Sequence, residues 1–181
     1  MRPLLAIPFL LLALLPAACD QKPADKAAGG DKPAAAAAGP GVPGPHYTAD
    51  EAGNAKFLAD YAALPDVKKT GDGLMYRVIK AGSGKTPLTT ADQVTVLYKG
   101  QLINGTVFDQ TTPERGPATF QAGMLIPGWV QALSMMKEGD EWELAIPPTL
   151  GYGAEGAGGG AIPGNAVLVF RMTLQKVEFA Q

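Results

Sequence analysis

From Gly73 onward, hydrophobic and polar positions alternate with period two. Leu74, Tyr76 and Val78 interleave with Met75, Arg77 and Ile79, and Val94, Val96 and Tyr98 share a face. Trp142, Leu144 and Ile146 alternate with Glu141, Glu143 and Ala145, and Val167 to Val177 forms a last run. Successive side chains of a strand point to opposite faces, so these segments are predicted strands. Asn104-Gly105, between Leu102 and Val107, predicts a hairpin with a type I′ turn, in which both central residues need positive φ. One stretch breaks the period. Over Pro127 to Lys137, Trp129, Ala132, Leu133 and Met136 recur at helical spacing, with Pro127 in the first turn and Gly139 just past the end. The pattern predicts an α+β domain: an antiparallel sheet of about five strands with one short helix packed across it.

Upstream of this domain, the patterning divides the chain into three further parts. Residues 46–69 hold a short helical segment. Thr48-Ala49-Asp50-Glu51 predicts its start, with Thr48 as N-cap and an acidic first turn; Ala55, Leu58, Ala59 and Ala62 form the packed stripe, and Pro65 ends it. It is expected to pack on its own domain, being short for a dimerisation arm. In Asp20 to Pro45, eighteen of twenty-six residues are Ala, Pro or Gly, and three Lys cancel three Asp. Such a segment cannot offset the entropy of ordering itself, and residues 19–45 are expected to be a disordered tether reaching roughly 30 Å. Residues 1–18 are a predicted secretory signal peptide, with Arg2 followed by an apolar run from Leu4 to Leu15 and small residues at Ala17 and Ala18. The run falls short of the roughly 20 apolar residues that span a bilayer.

Composition then removes whole classes of chemistry. A formal net charge of −2 leaves no electrostatic footprint for nucleic acid. With one Cys and one His, the chain cannot form an internal disulfide, a Cys-rich zinc site or a thiol redox pair. A Ser-His-Asp triad would have to use His46, which sits among Pro and Gly. Gly82-Ser83-Gly84-Lys85-Thr86 lacks the first Gly of a phosphate-binding loop, where Ile79 stands, and is read as a turn. Gly151 to Gly156 matches G-x-G-x-x-G, but the Pro and Gly around it leave no helix to receive a pyrophosphate. Glu141 and Glu143 are read as a solvated strand face.

Two resemblances add to this. Leu15-Pro16-Ala17-Ala18-Cys19 resembles the bacterial lipoprotein box, with Pro16 where that pattern has Leu. It implies cleavage before Cys19 and acylation of its thiol; ordinary cleavage nearby is the alternative. The remaining aromatic residues are Tyr98, Phe108, Phe120, Trp129, Tyr152 and Phe170. With the strings VTVLYKGQLINGTVFDQT (94–111), IPGW (126–129), GYGAEG (151–156) and AIPGNAVLVF (161–170), they resemble the FKBP-type peptidyl-prolyl cis-trans isomerases, most of all the exported bacterial branch. The resemblance covers roughly residues 70–178, within a domain of residues 70–181.

The resemblance implies a half-barrel sheet wrapped on its helix, and a pocket floored by Trp129 and walled by Tyr98, Phe108, Tyr152 and Phe170. Leu125 and Ile126 match the pocket edge, Ile126 offering its backbone N–H to the substrate carbonyl. Asp109 and the Tyr152 hydroxyl line the polar side, and Ile162 comes from a flap loop. Asp109, Ile126 and Tyr152 are the expected catalytic residues. Ala118 stands where many members have an aromatic, and the flap is Gly-rich at Gly158-Gly159-Gly160. The function expected is acceleration of proline-limited folding of exported proteins; the alternative is a non-catalytic holdase using the same pocket. No metal or cofactor is expected. Expected partners are unfolded or partly folded proline-containing chains, macrolides of the FK506 and rapamycin type, and a bacterial membrane reached through lipidated Cys19. A periplasmic monomer is expected, with the choice between inner and outer membrane open.

Overall fold

The computed structural model describes residues 43–181; the expected signal peptide, Cys19 and the tether up to residue 42 lie outside them. In chain order the elements are α1 (Glu51–Ala62), β1 (Lys68–Lys69), β2 (Met75–Lys80), β3 (Gln93–Leu102), β4 (Val107–Gln110), β5 (Ala118–Gln121), α2 (Pro127–Leu133), β6 (Glu141–Ile146) and β7 (Leu168–Glu178). Every strand pair is antiparallel, in the order β1-β2-β6-β7-β3-β4, with β5 paired to the first half of β3. This is the expected α+β architecture. The sheet has seven strands where about five are legible in the sequence, because β1, β4 and β5 are two to four residues long, too short for a period to register.

Helix α2 packs across one face of the sheet. Trp129, Ala132, Leu133 and Met136 join Val94, Val96, Leu144, Ile146, Phe170 and Leu174 in one buried cluster. Gly128 permits the close approach, since a Cβ there would lie 2.6 Å from Ile146 Cγ2. The helix ends at Leu133 rather than running on to Lys137. The Asp140 carboxylate accepts the Lys137 N–H at 2.6 Å and Gly139 turns to φ 91°, so the chain leaves the helix while Met136 stays buried.

The other face of the sheet carries a smaller core built by α1. Its N-cap is Asp50, not Thr48: the carboxylate accepts the Gly53 N–H at 2.7 Å, one of the four donors a helix start leaves unpaired. The packed stripe is Gly53, Phe57 and Tyr61, with Leu58 at its edge, whereas Ala55, Ala59 and Ala62 are exposed. The aromatic rings win because each buries about 150–250 Å². They lie against Met75, Ile103, Ala145, Val167 and Val169, residues on the sheet's second face and in its adjoining loops. Tyr47 joins them, 2% exposed, with its hydroxyl donating to Asp60 Oδ2 at 2.7 Å. Gly44 N–H donates to Ile103 O at 2.8 Å, so packing begins within the stretch assigned to the tether.

The β3–β4 connection is a three-residue loop, not a type I′ turn. Gly105 alone of the Asn-Gly pair has positive φ, at 88°. Gly105 N–H donates to Leu102 O and Leu102 N–H to Thr106 O, the pattern of a turn closed by a glycine bulge. Ile103 is drawn into the core under α1, which adds one residue to the loop. The Gly82 to Thr86 stretch, expected as a turn, is irregular chain with a bend at Gly84. Its glycines let backbone lie on backbone: a Cβ on Gly82 would come within 2.3 Å of Glu138 O.

Candidate functional site

One cavity of about 450 Å³ gathers the expected site residues. Tyr98, Phe108, Asp109, Leu125, Ile126, Trp129, Tyr152, Ile162 and Phe170 all line it. Phe120, Met124, Ala157, Gly158 and Ala161 line it as well and were not expected there. Phe120 carried a signal as part of the aromatic set, and Gly158 and Ala161 as part of the Gly-rich flap and of the string AIPGNAVLVF; Met124 carried none, because nothing in its spacing marks it.

The apolar wall is built by register. Gly100 of β3 pairs with Phe170 of β7 on one side and Asp109 of β4 on the other. A Cβ on Gly100 would sit 2.6 Å from the Phe170 ring and 2.8 Å from the Phe108 ring, so only glycine allows both rings to close over β3. They meet edge to face, with centroids 5.5 Å apart. Trp129, in the first turn of α2, meets Tyr98 and Phe170 edge-on, each at 5.1 Å, and Phe120 at 6.3 Å. Such edge-to-face contacts are the favoured geometry for aromatic quadrupoles. The Trp129 indole Nε1 is buried and has no hydrogen-bond partner.

The polar side of the cavity is narrow. The Tyr98 hydroxyl donates to Asp109 Oδ2 at 2.6 Å, so Tyr98 is both wall and hydrogen-bond donor. Burial, then the bond to Asp109 and its charge, push the Tyr98 phenol well above the usual tyrosine range, and it stays protonated. Tyr152 stands at the rim, 40% exposed. Ile126 is the N-cap of α2; its carbonyl accepts from Trp129 and Val130 N–H, while its own N–H has no intramolecular acceptor among the described residues. Pro127 at the first helical position fixes the backbone that presents it. Among the described residues no three His, Cys, Asp or Glu side chains stand close enough to hold a metal ion.

The flap over the cavity is held by backbone contacts. Ala157 and Ile162 exchange N–H···O bonds at 2.9 and 3.1 Å. Gly156, at φ 68°, lies so near Ile162 O that a Cβ would come within 2.2 Å. Gly158, Gly159 and Gly160 all take positive φ, which accounts for the three consecutive glycines. Helix α1 reaches the base of the flap, where Asn54 Nδ2 donates to Asn165 O at 2.8 Å.

Residues 84–175 match the FKBP-type peptidyl-prolyl cis-trans isomerase family. The chain is 46% identical over 122 residues to "Peptidyl-prolyl cis-trans isomerase Mip" of Coxiella burnetii, covering 67% of this chain and 52% of that protein. It is 43% identical over 124 residues to "Outer membrane protein MIP" of Legionella longbeachae, covering 68% and 52%. The chain thus spans about half the length of these curated relatives. Among solved structures it is similar to FkpA from Escherichia coli, with TM-score 0.68 and 38% identity over 72% of this chain and 60% of that one. A peptidyl-prolyl isomerase from Pseudomonas syringae gives TM-score 0.64 and 38% identity over 69% and 90%.

Proposed function

From the premise that this chain belongs to the FKBP-type peptidyl-prolyl cis-trans isomerase family, we propose that it accelerates rotation about X-Pro bonds in exported polypeptides. The observation that carries the reading is the edge-on aromatic cage around Trp129, apolar on all sides but one. Prolyl rotation faces a barrier of about 18–20 kcal/mol because amide resonance resists twisting. The planar amide is more polar than the twisted one, so a dry aromatic cavity favours the transition state over the ground state. Each tenfold in rate requires about 1.4 kcal/mol, within reach of desolvation plus one or two hydrogen bonds.

The residues divide this work. Trp129, Phe108, Phe170 and Phe120 enclose the proline ring; Leu125 and Ile162 close the edge and the flap side. The free Ile126 N–H orients a substrate carbonyl, and Tyr152 adds a hydroxyl at the rim. Asp109, held by Tyr98, places a negative charge beside the bond without exchanging protons with it. No step forms or breaks a covalent bond.

Export and lipid anchoring belong to the same proposal. They rest on the sequence of residues 1–19, and the Legionella relative is named as an outer membrane protein. Fractionation of wild type and Cys19→Ala tests the anchor: the variant is expected to leave the membrane fraction or remain uncleaved, and identical fractionation overturns it. Catalysis is tested by refolding a proline-limited client with substoichiometric protein. A faster slow phase supports the isomerase; suppressed aggregation with an unchanged slow phase means a holdase.

A further inference from the structure

A second depression, of about 480 Å³, runs along the outer side of α2, where Pro127, Val130, Gln131 and Ser134 recur at helical spacing. Leu125 lines both this groove and the aromatic cavity, so the two share a wall. Val130 and Leu150, both half-buried, continue its apolar floor. Met124, 79% exposed, stands beside the shared wall at the cavity mouth.

One charged side chain lines the groove, and it is anchored. Asp72 sits at the tip of the β1–β2 turn, which Thr70 N–H closes on Leu74 O at 2.9 Å. Its Oδ2 accepts from Gln131 Nε2 at 2.9 Å, tying the turn to α2. Gln131 Oε1 in turn faces the Thr70 hydroxyl at 3.4 Å. Asp72 Oδ1 keeps no donor among the described residues, and no Lys or Arg lines the groove.

We infer that this groove is an extended subsite for the polypeptide substrate, binding residues that flank the proline and favouring a basic side chain over Asp72. The inference rests on the isomerase reading above. A proline seated in the cavity belongs to a chain that must leave it on both sides. An extended chain advances about 3.3 Å per residue, so within a few residues of the proline it meets the depression that shares the cavity wall. A Lys or Arg stem can lie on Val130 and Leu150 while its charged head meets the free Asp72 oxygen. A peptide barely longer than the X-Pro unit gains nothing from the groove.

The test compares kcat/KM of the full chain on three substrates: a proline tetrapeptide, and two twelve-residue peptides with the same centre flanked on both sides by Lys or by Glu. Wild type is expected to favour the Lys-flanked peptide over the Glu-flanked one by about two- to fivefold, the scale of one solvent-exposed ion pair. Asp72→Asn removes the preference, and Asp72→Lys reverses it, both leaving tetrapeptide turnover unchanged. Glu51→Gln makes the same change in net charge outside the groove and keeps the preference. Equal effects of Asp72→Asn and Glu51→Gln, or no difference between the flanked peptides, overturn the subsite. Absence of tetrapeptide turnover in wild type overturns the isomerase reading itself, and the subsite with it.

Discussion

The Tyr98 hydroxyl and the Asp109 carboxylate face each other at 2.6 Å across the β3–β4 pair, on the single polar side of an otherwise apolar cavity. The bond keeps a charged group in place at the lip of an apolar site. In that bond the phenol is the donor, and burial together with Asp109 raises its pKa.

Because the Tyr98 phenol is pushed upward by burial and by Asp109, it stays a donor through neutral and mildly alkaline pH. Activity is therefore expected to be flat between about pH 6 and 9, without the bell profile of a general acid and base. Tyr98→Phe should lower kcat/KM by about tenfold, near 1.4 kcal/mol, while keeping that flat profile. A pH–rate profile of both proteins checks this, and a bell in the wild type would point to proton transfer.

Tyr152→Phe and Phe108→Ala separate the rim from the wall. Tyr152 is 40% exposed, and its hydroxyl is worth one ordinary hydrogen bond, so the loss in kcat/KM should be tenfold or less. Phe108 packs edge-on against Phe170, and truncating it opens the dry wall, which should cost more. With circular dichroism confirming that both variants fold, the reverse order of losses would contradict catalysis by desolvation.

Gly100→Ala tests the register that forms the wall. The added methyl would stand 2.6 and 2.8 Å from the Phe170 and Phe108 rings, and the rings can give way only by moving. Overpacking of this kind costs about 1–3 kcal/mol. Thermal denaturation should show a folded protein with lowered Tm, and the isomerase assay a loss of at least tenfold. Full activity would mean that the ring positions do not matter.

Asp92 gives the fold an acid-sensitive joint. Its carboxylate, 2% exposed as a residue, accepts from Leu88 and Thr89 N–H at 2.7 and 2.9 Å, from the Thr89 hydroxyl at 3.0 Å, and from Ala180 N–H at 3.0 Å. These donors, the Ala180 and Thr89 N–H first, hold its pKa at about 2, against 3.8 for a free side chain. A depressed carboxylate pKa contributes stability above its unfolded value and loses it as pH falls through the folded one. The Tm gap between wild type and Asp92→Asn should be full at pH 7, shrink between about pH 4 and pH 2, and vanish below. A gap independent of pH would show that shape, not charge, holds the C-terminus there.

The period-two runs and the Trp129 stripe were sufficient to place β2, β3, β6, β7 and α2, because alternation and helical spacing are properties of neighbours along the chain. The ordered motifs were sufficient for the family and for nine cavity-lining residues, since a strand–loop–helix order carries its pocket with it. What neighbours along the chain cannot encode is which of two faces meets something. Helix α1 offered a stripe of Ala55, Leu58, Ala59 and Ala62 as readily as one of Gly53, Phe57 and Tyr61. The second was chosen because Met75, Ala145 and Val169 gave two rings somewhere to bury. The same limit hid the second role of Tyr98. Its hydroxyl finds Asp109 eleven residues away only because β3 and β4 pair antiparallel through Gly100, with an irregularity in register beside it. Likewise, the reach of Asp72 to Gln131, fifty-nine residues on, exists only where the β1–β2 turn lands on α2. Local pattern settles the longer elements, and the polar groups at the cavity and groove take their partners from packing, because each partner lies on a different strand, turn or helix.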